Sequence, residues 1–117
     1  MSESIIRAKS KEFSKNIIFL CRKLNSNHTE YSLTNQLLRA GTSIGANIYE
    51  AQYAQSTKDF ISKLEIALKE CNETAYWLEL LFETNTITKD EFESFKKEYV
   101  ELRRMIVSSI TTLKNKM

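Results

Sequence analysis

The sequence predicts an all-α protein, an antiparallel up-down four-helix bundle. Three observations carry that prediction. The 117 residues include no proline and only two glycines, so little interrupts a long helix. Apolar residues recur in four- and three-residue steps along four separate stretches, the spacing of a helix face packed on other helices. Short polar segments separate the stretches, and short links make consecutive helices antiparallel neighbours. A chain of this length forms one domain around a single core, here residues 1–117.

The first helix is expected over about residues 3–25, with Ile6, Phe13, Ile17, Leu20 and Leu24 on its apolar face. Its other faces carry Arg7, Lys9, Lys11, Lys15, Arg22 and Lys23. The polar string from Asn25 to Glu30 ends it.

The second helix is expected over 32–53, with a seam of Leu33, Leu37, Ala40, Ile44, Asn47 and Ala51. Gly41, Ser43, Gly45 and Ala46 crowd around this seam. A glycine inside a helix costs roughly 0.5–1 kcal/mol relative to alanine, so two of them imply close approach of another backbone. Their spacing matches a membrane dimer motif, but Arg39, Asn47 and Glu50 exclude an apolar span. Ser43, Asn47 and Glu50 read as a buried polar layer that fixes helix register, with Asn47 bonded to a neighbouring helix; a ligand contact is the alternative.

The third helix is expected over 56–84, along Ile61, Leu64, Leu68, Cys71, Ala75 and Leu78, with Ser56 as its cap and Asp59 in the capping-box position. Leu64, Leu68 and Leu78 are expected in the core. The fourth, over 88–116, opens on a full capping box, Thr88 with Glu91, and Ile87 and Phe92 occupy the hydrophobic staple positions. Its seam runs Phe92, Phe95, Tyr99, Leu102, Ile106, Ile110, Leu113 and Met117.

The central half carries a family resemblance. Arg39 and Ala40, then Ser43, Ile44, Asn47, Ile48 and Glu50, then Phe60, Ile61, Leu64, Ile66 and Ala67, then Glu73 and Leu78 resemble the bacterial four-helix-bundle family of 23S rRNA intervening-sequence proteins. The glycine usual after the glutamate is Ala51 here. The resemblance implies an up-down bundle, often a ring-shaped homopentamer. It also implies kinship with the accessory variability proteins of diversity-generating retroelements, which bind nucleic acid and a reverse transcriptase.

Surplus apolar surface points the same way, toward a homo-oligomer. Tyr49, Tyr53, Ile66, Tyr76, Trp77 and Leu80 fall off the main seams, and large aromatic residues outside a core tend to mark interfaces.

Net charge is only +2, too small to argue a nucleic-acid partner from composition. Its distribution says more. Residues 1–32 hold six basic and three acidic side chains, residues 33–84 four and seven, residues 85–117 seven and five. The outer helices are basic and the central pair acidic. In an up-down bundle the outer two run antiparallel, which puts Arg7, Lys9, Lys11, Lys15, Arg22, Arg103, Arg104, Lys114 and Lys116 on one expected RNA- or DNA-binding surface. Few aromatics interleave with these charges, so base stacking is not expected.

Enzymatic chemistry has thin support. The chain has one histidine, and no phosphate loop, zinc motif or nucleophile elbow. Arg22 and His28 match the loose Arg-x(4–6)-His pattern of HEPN ribonucleases, in which histidine would serve as acid/base beside a phosphate-holding arginine. The plain alternative is a solvated loop histidine. Cys21 and Cys71 fall on apolar faces and read as small core residues in a reducing compartment. The N-terminus lacks a signal-peptide core and no run of 18 apolar residues occurs, so a cytoplasmic protein is expected, with no metal or cofactor.

Overall fold

The computed structural model describes residues 3–28 and 30–117. They form four helices, α1 (Glu3–Ser26), α2 (Tyr31–Ala51), α3 (Thr57–Glu83) and α4 (Lys89–Asn115), in a bundle 48 Å long. Neighbours in sequence are neighbours in space. α2 packs on α1 and α3, α4 packs on α3, and α1 and α4 close the bundle along its loosest seam. The α1/α4 cross-links run antiparallel: Lys9 to Glu101 at 3.2 Å, Asn16 to Glu98 at 3.1 Å, and Lys23 to Glu91.

Local chemistry fixes the ends. Thr88 accepts from Glu91 N at 3.1 Å and Glu91 Oε1 accepts from Thr88 N at 2.9 Å, the expected capping box. Ile87 and Phe92 are both buried, as the staple requires, and Phe92 stacks on Phe82 with centroids 4.7 Å apart. Ser56 caps α3 by accepting from Asp59 N at 3.0 Å, but Asp59 returns its bond to Gln55 N, one residue before the cap. α3 ends in a Schellman turn with Asn85 left-handed at φ 61°, Thr86 N bonding Leu81 O and Asn85 N bonding Phe82 O. α2 ends at Ala51, two residues earlier than expected; Gln52, Tyr53 and Ala54 turn away through bonds from each N–H to the carbonyl three residues back.

The core takes one residue per turn from each helix, with Phe13, Ile17, Leu37, Ile44, Leu78, Leu81, Leu102 and Ile106 fully enclosed. Leu64 and Leu78 are buried as expected, whereas Leu68 is half-buried at the core margin. The α1/α2 contact is a close approach at Gly41 and Gly45. A Cβ on Gly41 would stand 2.9 Å from both γ-carbons of Ile17, which explains the glycine.

The polar layer expected across the bundle does not form within the chain. Ser43 Oγ donates to Arg39 O at 2.6 Å and Asn47 Nδ2 to Ser43 O at 2.8 Å, both inside α2, and both residues are half-buried. Glu50 is exposed and reaches Lys63 of α3 at 3.5 Å. The cause is helical drift. A straight helix turns in 3.6 residues rather than 3.5, so after Ile44 the core position falls on Ile48, and Asn47 rotates toward the rim.

Both cysteines are buried and free, as expected of small core residues. Burial pushes each thiol up to about 11, and they donate to Thr34 O and Tyr99 O. Among the described residues no helix is long and apolar enough to cross a membrane.

Candidate nucleic-acid interface

The nine basic residues expected on one surface separate into two groups. Three of them meet carboxylates, across the α1/α4 seam, on α3 or on their own helix. Lys9 pairs with Glu101 at 3.2 Å, Lys114 with Glu65 of α3 at 3.0 Å, and Lys15 with Glu12 at 3.7 Å. Lys23, a tenth cation, pairs with Glu91, and its hydrogen bond holds that carboxyl below the usual carboxylate range. Glu98 sits in the same seam with Asn16, and burial pushes its carboxyl above the usual range. The seam is therefore a mixed, internally balanced strip rather than a basic groove.

The second group lies elsewhere. Lys11, Arg22, Arg104 and Lys116 are exposed and have no carboxylate partner among the described residues. Arg103 is half-buried with its guanidinium 6.0 Å from the centre of the Tyr99 ring, so it is partly committed to packing. Arg7 donates to the Gln52 side-chain oxygen across the α1/α2 contact. Helical spacing puts Ala8, Lys11, Lys15, Ile18 and Arg22 along the outward side of α1, a ridge whose one carboxylate neighbour is Glu12, paired with Lys15.

Beside that ridge, α1 and α2 enclose an open groove of about 480 Å³. Arg7, Lys11 and Tyr49 stand at it, over Ala8, Ser10, Ser14, Gly45 and Ala46. No carboxylate lines it. The serine hydroxyls are spent on their own helix, Ser10 on Arg7 O at 3.1 Å and Ser14 on Ser10 O at 3.0 Å. Tyr49 is 58% exposed and Tyr53 70%, with ring centroids 5.5 Å apart. Tyr49 raises the Tyr53 phenol above its ordinary value, and the Arg7 charge opposes that rise. The groove was not legible from helix-by-helix reading, because Arg7 and Tyr49 are far apart in sequence. The glycine spacing signalled the close approach but not the residues around it.

The other expected interface residues divide as well. On α3, Tyr76 and Ile66 are exposed, whereas Trp77 and Leu80 are half-buried. Trp77 Nε1 donates to Glu73 at 3.2 Å, and Glu73 also pairs with Arg39, which reaches Glu70 at 3.2 Å. The Trp77 bond first, and Arg39 after it, hold the Glu73 carboxyl low.

Arg22 and His28 both lie at the C-terminal end of α1 with exposed side chains. His28 is the left-handed residue that ends α1, at φ 62°, with its N–H on Asn25 O at 3.2 Å. Histidine and asparagine tolerate that conformation better than most side chains, which gives His28 a backbone role in the turn. Its side chain is exposed and makes no hydrogen bond to Arg22 among the described residues.

A family model described as 23S rRNA-intervening sequence protein matches residues 2–108. A solved structure from Bacteroides thetaiotaomicron, described as a protein with unknown function from the S23 ribosomal protein family, is similar over almost the whole chain. It is 47% identical, covers 95% of this chain and 99% of its own, and superposes with a TM-score of 0.92. No curated protein matches the sequence.

Proposed function

The chain belongs to the 23S rRNA-intervening sequence protein family, and from that premise we propose that it works as a non-catalytic, self-assembling bundle that binds RNA or DNA through the outward side of α1. The observation that carries this reading is the basic ridge of α1, where Lys11 and Arg22 stand exposed without carboxylate partners among the described residues and only Lys15 is paired, with Glu12. Phosphates need not displace a bound carboxylate there, as they must at Lys9 and Lys23. Arg104 of α4 and Lys116 just beyond its end add charge from other parts of the surface. A single copy offers few phosphate contacts, and several copies acting together give the steep salt dependence of a polyanion binder.

Self-assembly is supported by α3. Ile66, Tyr76 and Leu80 fall on one outward side of that helix, with Trp77 next to them and Lys69, Glu70 and Glu73 between, and this mixed aromatic and charged side suits a second subunit. A ring-shaped homopentamer is the form the family likeness favours. If α3 assembles the subunits, Tyr49 and Tyr53 remain available for another purpose.

The test is equilibrium binding to a labelled RNA oligonucleotide across salt, beside light scattering. Wild type should bind at about 50 mM salt and weaken steeply as salt rises. Lys11→Glu with Arg22→Glu should reduce affinity at least tenfold and flatten the salt slope, with mass and helicity unchanged. Absence of binding at low salt, or indifference to that double reversal, would reject the interface. Cleavage of the RNA that requires His28 would replace the non-catalytic reading with the ribonuclease one.

A second reading, a purely structural oligomer with protein partners such as a reverse transcriptase, is favoured by the exposed α3 strip. It expects assembly through Tyr76 and Ile66 with no salt-dependent nucleic-acid affinity.

A further inference from the structure

We infer that the α1/α2 groove is a subsite for an unpaired base of single-stranded nucleic acid, with Tyr49 as the stacking face and Arg7 and Lys11 as the phosphate contacts. The inference rests on the proposed nucleic-acid reading and narrows it to one strand state and one place.

Four features converge. The groove is open and of the size that a nucleobase enters, about 480 Å³. Its charged lining is wholly positive, Arg7 and Lys11, which complements a phosphodiester. Its aromatic lining supplies what a charge patch alone lacks. Tyr49 is 58% exposed, and Tyr53 next to it is 70% exposed, in a position where neither serves the core. The floor is built from Ala8, Gly45 and Ala46, so a flat ring approaches without meeting a long side chain. Gly45 has a packing reason of its own, since a Cβ there would sit 3.3 Å from Ser10 O and Ser14 Oγ.

Charge with adjacent aromatic surface separates single strands from duplex. A base buried in a duplex cannot reach a side-chain ring, whereas an unpaired base stacks on it, and such stacks tolerate any sequence. Phosphate contacts alone bind both forms. Arg7 is held by its hydrogen bond to the Gln52 side chain, so it already lines the groove with Tyr49 before a strand arrives. A second copy of the chain is the competing occupant of this groove, and mass measurement separates it.

The experiment compares a single-stranded oligonucleotide with the duplex of the same length, on the full chain in low salt. Wild type should prefer the single strand. Tyr49→Ala should weaken single-strand binding by about five- to a hundred-fold and leave duplex binding and mass unchanged. Tyr49→Phe, which keeps the ring, should retain the preference. Ala46→Leu, at an exposed helix position, should block the groove and behave like Tyr49→Ala. Equal loss for both strand forms, or no loss for either, would overturn the subsite while leaving the ridge on α1 intact. A fall in mass with Tyr49→Ala would mark the groove as a subunit contact and also overturn it. Absence of binding to either form would instead reject the nucleic-acid reading as a whole.

Discussion

Gly41 shows how one absent atom sets a helix–helix distance. The γ-carbons of Ile17, a residue with no exposed surface, stand 2.9 Å from where its Cβ would be. Alanine is the better helix former by about 1 kcal/mol, yet Ile17 is β-branched and enclosed and has little room to yield. Gly41→Ala should therefore destabilise the fold by about 1–3 kcal/mol in urea unfolding, because overpacking outweighs propensity. Gly45→Ala, with softer contacts at 3.3 Å, should sit near neutral. The need for small residues was legible in the sequence. Their unequal reasons were not, since those depend on which α1 atoms lie opposite. Asn47 makes the same point in reverse. A seven-residue repeat placed it on the seam, and the 3.6-residue turn moved the core to Ile48. His28 drew attention as the sole histidine, and its left-handed backbone gives it a local structural account.

At the scale of elements, capping chemistry and apolar periodicity were readable because both act over a few residues. The four helices follow them closely, and Thr88 with Glu91 does what that spacing dictates. Charge was readable only as a sum. The sequence makes α1 and α4 basic, but the pairings that neutralise Lys9 and Lys23 join residues 92 and 68 positions apart. The seam these pairs form also contains a strained carboxylate. Burial raises Glu98, Asn16 counters this by hydrogen bonding, Glu12 and Glu101 add repulsion, and Lys9 relieves some of it. A raised carboxylate favours the folded state while protonated and loses that contribution as pH rises through its folded value. Glu98→Gln should therefore raise the melting temperature at pH 7 and show little gain near pH 4. Equal gains at both pH values would indicate that ionisation is not the cause. Glu91 acts oppositely: lowered by Lys23, it contributes above the ordinary carboxylate range and loses that contribution in acid.

For the whole molecule, the α1/α4 seam is an internally paired closure, and in the proposed reading the α1 ridge and the α1/α2 groove face nucleic acid and α3 faces another subunit. Lysine-reactive footprinting of the native protein, with and without a saturating single-stranded RNA in low salt, reads these surfaces at once. Lys11 should become shielded, with Lys15 following it along the ridge, while Lys9, Lys23 and Lys114 keep the reactivity they show without RNA. Shielding centred on Lys9 and Lys23 instead, with Lys11 unchanged, would contradict the central claim.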